Sequence, residues 1–315
     1  ADGELWFNST ASTFQYQYVE TGGAWSTGGN LNTARGFGAS AGAATQTAAL
    51  IFGGSPGPKA ITEAYNGTSW TEVNDLTTAR GESAGAGTQT SALCFGGGRP
   101  TQLANTEIYN GTNWTETADL NTARNYLAGC GASSTSALAF GGEAGPGDQN
   151  ATELWNGTNW TEVNNLNTAR EQASSAGIQT SALMSGGAVS GSSQTLTESW
   201  NGTNWTEVAD LNVARRQNTG GAGLTNTSAL NFGGDDPQTA STELWDGTSW
   251  TVGASLPTVA DSNFGSGSKS AALSAGGRAP NYSTATNEWN TGLPIANVWQ
   301  TGGNLNTART IMGNA

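Results

Sequence analysis

Histidine is missing altogether from these 315 residues, and charge is scarce, with only 11% of side chains charged. Without histidine there are no His-dependent triads, none of the usual zinc sites and no His-ligated copper centre. Basic residues number 11 against 24 acidic ones, giving a net charge of −13. That balance opposes nucleic-acid and anionic-membrane binding, because phosphate contacts need clustered cations. The two cysteines, Cys94 and Cys130, are too few for a disulfide framework and lack metal-ligand spacing. Both are expected to be small, buried and inert, and no metal or cofactor is expected. No apolar run approaches the ~20 residues of a membrane span. The opening Ala1-Asp2-Gly3 has neither the basic start nor the apolar stretch of a signal peptide, and no initiator methionine. A trimmed or processed chain is the expectation.

Glycine is abundant, at 46 residues, and 12 Trp, 8 Phe and 6 Tyr are spread through the chain. Glycine with regularly spaced aromatics marks an all-β repeat fold rather than a disordered chain. Leu-Asn-Thr-Ala-Arg or a close variant ends at Arg35, Arg80, Arg124, Arg170, Arg215 and Arg309, with Ala260 standing in once. A tryptophan precedes each: Trp25, Trp70, Trp114, Trp160, Trp205, Trp250 and Trp299. Both series count seven, at a period of about 45 residues.

One period reads as four strands. After Arg80, the small residues 83–87 suit a crowded inner strand a, and Ala92-Leu93-Cys94-Phe95 before Gly96-Gly97 is strand b. Thr106-Glu107-Ile108-Tyr109 is strand c, Asn110-Gly111 is a hairpin turn, and Trp114-Thr115-Glu116-Thr117 is strand d. Four antiparallel strands per period make a propeller blade.

The diglycine, the Tyr and Trp around a turn, and the following Leu and Arg together resemble the kelch repeat over nearly the whole chain. Two departures are a Tyr-to-Trp gap one residue tighter than usual, as from Tyr65 to Trp70, and a short period. Diglycines that follow an apolar strand b begin at Gly53, Gly96, Gly141, Gly186, Gly233 and Gly276, a count of six. Glu4-Leu5-Trp6-Phe7, however, aligns with a strand b, residues 14–19 with strand c, and Trp25 with strand d. The expectation is therefore an all-β, seven-bladed propeller of four-stranded antiparallel blades, one domain over residues 1–315. Its seventh blade joins residues 4–28 to a strand a at 310–314, which removes open edges.

Residues that keep the repeat are read as framework. Each tryptophan is expected to pack between blades. The arginines are expected to meet the strand-c glutamates Glu63, Glu107, Glu153, Glu198, Glu243 and Glu288, an anion-binding arginine ring being the sharper alternative. Asn-x-Thr triplets such as Asn66-Gly67-Thr68 coincide with turns that want those residues for backbone reasons. Departures from the repeat fall in the b–c loops and just after the arginine. Alternating strand direction puts both on one face. Candidate ligand contacts are Phe37, Glu82, Arg99, Tyr126, Arg216, Asp235, Asp236, Arg278 and Tyr282, aromatic and charged groups suited to sugar or protein surfaces. Drift in unconstrained loops is the plain alternative.

Residues 3–10, Gly-Glu-Leu-Trp-Phe-Asn-Ser-Thr, then Phe14-Gln15-Tyr16 and Gly23-Ala24-Trp25, resemble a short β module of bacteriophage tail-fibre and other virion proteins. The match covers about 25 residues and its second Gly-x-x-Trp turn is altered. This resemblance implies a non-enzymatic protein of the virion surface, acting in host attachment. Its partners are then other virion or surface subunits and a host glycan or protein, neutral glycans or basic patches first. A secreted or cell-surface adhesin or filament subunit is the alternative. A carbohydrate-active enzyme is the third, with Glu82, Asp235, Asp236 and Asp261 as unselected carboxylates. The sialidase-type Ser-x-Asp-x-Gly-x-x-Trp box is not met, since Tyr65 or Trp155 holds its Asp position.

Overall fold

The computed structural model describes residues 5–8, 13–18, 22–98, 100–145, 147–217, 221–278, 280–291 and 298–301. Six four-stranded antiparallel sheets follow one another along the chain. Blade 2 shows the pattern: Ala84–Thr88 (a), Ser91–Phe95 (b), Thr106–Tyr109 (c) and Trp114–Thr117 (d). Strand b is buried beyond its first residue because both faces meet neighbouring sheets, whereas strand d buries its tryptophan and exposes the next two residues.

The expected seventh blade is corrected to a ring of six. Blade 6 comprises Phe264–Gly267 (a), Ala271–Ala275 (b) and Thr286–Thr291 (c), and Gly23–Thr27 supplies its strand d, with Trp25 opposite Trp289. An N-terminal outer strand, not a C-terminal inner one, completes the last sheet. Residues expected as further blade strands do something else. Leu5–Asn8 pairs with Thr13–Tyr18, and that strand pairs with Val298–Thr301, forming a separate three-stranded sheet. The strand expected at 310–314, like Arg309, lies outside the described residues. Trp25 and Trp299 are both copies of the strand-d tryptophan, but a six-membered ring has room for one of them. The diglycines count the blades correctly because each ring blade must carry one.

The need for that glycine pair is an inter-blade bond. The second glycine donates its N–H to the carbonyl of the residue that opens the next blade: Gly54 to Arg80, Gly97 to Arg124, Gly142 to Arg170, Gly187 to Arg215 and Gly234 to Ala260, at 2.8–3.0 Å. Gly277 donates to Arg35 at 2.8 Å, so the series runs from blade 6 back to blade 1. A Cβ on Gly53 would lie 2.7 Å from the Arg80 carbonyl, and Gly53 sits at φ +69°, where side chains are strained. Along the inner strands, a Cβ on Gly85 would lie 2.4 Å from the Ser40 carbonyl. Glycine, alanine and serine predominate where the six inner strands converge, although Ile178, Leu224 and Phe264 also stand on them.

Tryptophans pin adjacent blades. The strand-d indole N–H donates to a strand-c threonine of the preceding blade: Trp114 to Thr62, Trp160 to Thr106, Trp205 to Thr152, Trp250 to Thr197, Trp70 to Thr286 and Trp25 to Thr242. On Trp114, Trp160, Trp205 and Trp25 a phenylalanine of that blade packs on the same ring, as Phe95 does on Trp160 at 4.9 Å. Each such indole buries roughly 150–250 Å², about 4–6 kcal/mol of gross hydrophobic stabilisation at ~25 cal/mol/Å².

The five described repeat arginines are fully buried and paired with the strand-c glutamate of their own blade. Arg80–Glu107, Arg124–Glu153, Arg170–Glu198 and Arg215–Glu243 lie at 2.5–2.8 Å, and Arg35 pairs with Glu63. Burial pulls the Arg124 guanidinium below its usual range, opposed by Glu153. The expected sixth glutamate is corrected by register. Asn287, not Glu288, stands opposite Thr27 in the slot of Glu63, while Glu288 accepts the Tyr65 hydroxyl at 2.6 Å. Burial and that bond push Tyr65 up to about 12. Blade 6 thus lacks both charges at once, Ala260 for arginine and Asn287 for glutamate, so neither is stranded. Cys94 and Cys130 are buried and free, and burial raises both thiols.

Arg124→Ala should therefore destabilise the fold by about 3–5 kcal/mol, because Glu153 stays buried without its cation. The double variant Arg124→Ala/Glu153→Asn copies blade 6 and should recover part of that loss. Urea unfolding of both variants checks the ordering, and a double variant less stable than the single one contradicts it.

Candidate functional site

Every blade enters its inner strand through the same turn. Two residues after the arginine position, the backbone is left-handed: Phe37 (φ 57°), Glu82 (57°), Tyr126 (53°), Gln172 (57°), Gln217 (49°) and Ser262 (55°). Their backbones form an inner collar. Phe37 N–H donates to the Ser262 carbonyl, Glu82 to Phe37, Tyr126 to Glu82, Gln172 to Tyr126 and Ser262 to Gln217. The six side chains line one small pocket with Ser83, Leu127 and Ala173. Below it, the inner strands enclose an axial cavity of about 50 Å³ lined largely by Gly, Ala and Ser. A space of that size holds a few waters, not a sugar. Any larger ligand must sit on the mouth.

A left-handed backbone costs an ordinary residue about 1–2 kcal/mol and glycine nothing. This chain has 46 glycines and places none at these six positions. They hold instead two aromatics, a carboxylate, two amides and a hydroxyl. Strain retained at an equivalent position in six blades, for side chains that differ, points to function at the mouth.

The variable connections lie on the same face. Single bridges join the residue after the arginine position to the residue after the diglycine: Asn125 with Glu143, Glu171 with Ala188, Arg216 with Asp235, and Asp261 with Arg278. Eight of the nine predicted contact residues are described, and all eight fall here. Arg99 lies outside the described residues. Phe37 and Glu82 are buried in the mouth, and Tyr126 is half-buried beside them. Phe37 meets Tyr126 at 6.4 Å and Tyr282 at 6.5 Å, and the Arg278 guanidinium lies 5.4 Å over the Phe37 ring.

Blades 5 and 6 carry a charge-reversed pair at equivalent places, Arg216/Asp235 and Asp261/Arg278. Arg278 reaches Asp261 at 3.3 Å and Asp235 at 3.9 Å, and Arg216 reaches Asp236 at 3.6 Å. Asp261 is fully buried and accepts from Ser262 Oγ and Gln238 Nε2, both at 2.8 Å. Across the mouth, blades 3 and 4 bring Glu143, Asp148 and Glu171 near one another. Burial pushes the Glu171 carboxyl up to about 7, with Glu143 and Asp148 adding to the shift and Arg216 opposing it. Its Oε1 accepts from Gln172 Nε2 at 3.2 Å, and its buried Oε2 has no hydrogen-bond partner.

Glu171, Glu143, Asp148, Gln172 and Asp261 were not among the predicted contacts. Asp261 entered the sequence reading only as an unselected carboxylate, and Glu171 could have been found by position, since it stands next to the arginine slot where other blades have Gly36, Gly81, Asn125, Arg216 and Asp261.

The raised carboxyl links folding to pH. Folded Glu171 holds its proton up to about 7, whereas the unfolded chain releases it near 4.5. The folded state binds more protons in that window, so this group's contribution weakens as pH rises from about 4.5 to about 7. Glu171→Gln should flatten stability against pH across that window. Thermal melting at several pH values checks it, and an unchanged slope contradicts the assignment.

No family model matches this chain, and no curated protein matches it. Among solved structures, one described as the structure of YjhT superposes with a TM-score of 0.70 at 12% identity, covering 87% of this chain and 99% of that one. At that identity the likeness establishes the fold and carries no residue roles. The expectation of a non-enzymatic virion-surface protein with virion partners is corrected accordingly, since no comparison carries a virion, tail-fibre or host-attachment identity. The chain is an all-β, six-bladed propeller similar in fold to YjhT.

Proposed function

We propose that this propeller is a carbohydrate-active enzyme that transfers a proton to an acetal or hemiacetal oxygen of a neutral sugar at the mouth of its axial channel. The observation that carries the reading is the collar of six strained, non-glycine residues, whose side chains converge where every variable loop also ends. The kelch-like repeat serves in this reading as a rigid frame holding the collar.

Roles follow from the chemistry. Glu171 is the general acid, because a carboxyl titrating near neutrality can be protonated before the step and can release its proton during it. Gln172 holds its Oε1, while its Oε2 is buried without a hydrogen-bond partner, which favours the protonated form. Phe37, Tyr126 and Tyr282 offer aromatic surface to the C–H faces of a pyranose, while Asp235, Asp236 and Gln217 offer hydrogen-bond acceptors for its hydroxyls. Arg216 and Arg278 are already held by carboxylates, which leaves little for an anionic ligand and favours a neutral one.

The test is a panel of neutral mono- and oligosaccharides, with anomer exchange and bond cleavage followed by proton NMR. The protein should accelerate one of them, with a rate that falls as pH rises through about 7. Glu171→Gln should slow it by about 10²–10⁴-fold, the usual worth of a general acid. Binding without conversion for every sugar, or full activity in Glu171→Gln, overturns the proposal.

A further inference from the structure

Among the described residues the outer edge of each blade is an unpaired strand, and proteins defend such edges with charge. Around four blades this one does. The outer strands and their following turns carry exposed Glu72 and Asp75 on blade 1, Glu116 and Asp119 on blade 2, Glu162 on blade 3, and Glu207 and Asp210 on blade 4.

Blades 5 and 6 break the belt together. In the equivalent places stand Val252 and Ser255 on blade 5, and Thr27 and Asn30 on blade 6. The carboxylate opposite Val252 is Glu243, which is buried and neutralised by Arg215 at 2.6 Å. Blade 5's hairpin tip does hold Asp246, whose charge is partly offset by Lys269. Val252 is 60% exposed and Val259, in the next turn, 39%; with Leu224 of blade 5 they are the exposed large hydrophobics among the described residues. Val252 lies on the outer strand of the sector without the belt and Val259 in the turn after it, whereas Leu224 stands on the inner strand Gly221–Thr225, away from that edge.

We infer that this neutral sector, centred on the outer strand Trp250–Gly253, is the face through which two copies of the chain associate. Two bodies of charge −13 repel along any approach that brings acidic belts together. Edge-to-edge contact through blades 5 and 6 turns both belts away from each other. A two-fold arrangement lets the same strand face its own copy antiparallel, adding main-chain bonds across an edge that no carboxylate guards. A basic partner would instead be drawn to the belt on blades 1–4. This inference is independent of the proposed catalytic role, which sits at the channel mouth.

Sedimentation velocity of the full chain tests it. A dimer should form with rising concentration and strengthen between about 0.15 M and about 1 M salt, as screening weakens the mutual repulsion. Val252→Glu should raise the dimer dissociation constant at least about tenfold, roughly 1.4 kcal/mol, with melting unchanged. Thr161→Glu on the already acidic blade 3 should leave association as it was. A monomer under every condition, or equal weakening by both variants, overturns the inference.

Discussion

The segment around the repeat arginine is the constraint from which the rest of this structure follows. Its carbonyl receives the diglycine N–H of the preceding blade, so it fixes the spacing between neighbours. Its guanidinium is buried against a glutamate of its own blade, so it also fixes where strand c begins relative to strand a. Two residues later the chain turns left-handed into the collar. One short run therefore sets the ring's closure, each blade's register and the position of every side chain at the mouth.

Glycine is used where two backbones must nearly touch, and withheld where a side chain is wanted. At Gly54, Gly97 and Gly277 the positive φ and the close carbonyl leave no alternative. Phe37, Tyr126 and Gln172 occupy the same region of backbone space without any such crowding argument for glycine. That contrast separates scaffold from site without reference to any relative. It also explains why the sheets look alike while the mouth does not: the bonds that hold the ring involve backbone and buried groups, and these leave the collar side chains unconstrained.

The blade was legible in the sequence because its rules are local. Asn110-Gly111 fixes a hairpin, Ala92-Leu93-Cys94-Phe95 a buried strand, and Trp114 an outer one, and each lies where expected. Blade number was not legible in the same way. Ring size depends on which copies of a motif meet in space, and Trp25 and Trp299 are indistinguishable by local pattern although only Trp25 enters the ring. Glu288 misled for the same reason: one residue of register separates it from the slot that Asn287 fills. The variable face was legible from strand alternation, and the described contact residues do gather there. Glu171 was not, because its character comes first from burial and then from Glu143 and Asp148, which belong to a neighbouring blade.

Departures from six-fold symmetry are unevenly placed, and their distribution is itself informative. Blade 6 abandons the buried ion pair, blades 5 and 6 carry the charge-reversed pair at the mouth, and the same two blades lack the acidic belt. Blade 6 is also where the ring is sealed by a strand from the other end of the chain. A buried ion pair is weak evidence for stability, since well-matched neutral residues often do as well. Its loss at the seam is therefore compatible with a closed ring, provided both partners go together, as Ala260 and Asn287 do. Blades 1 to 5, each built from one continuous run of chain, keep the pair and its geometry. At the seam that geometry is set by a different strand, and this leaves the sector free to diverge on its inner face and on its outer edge.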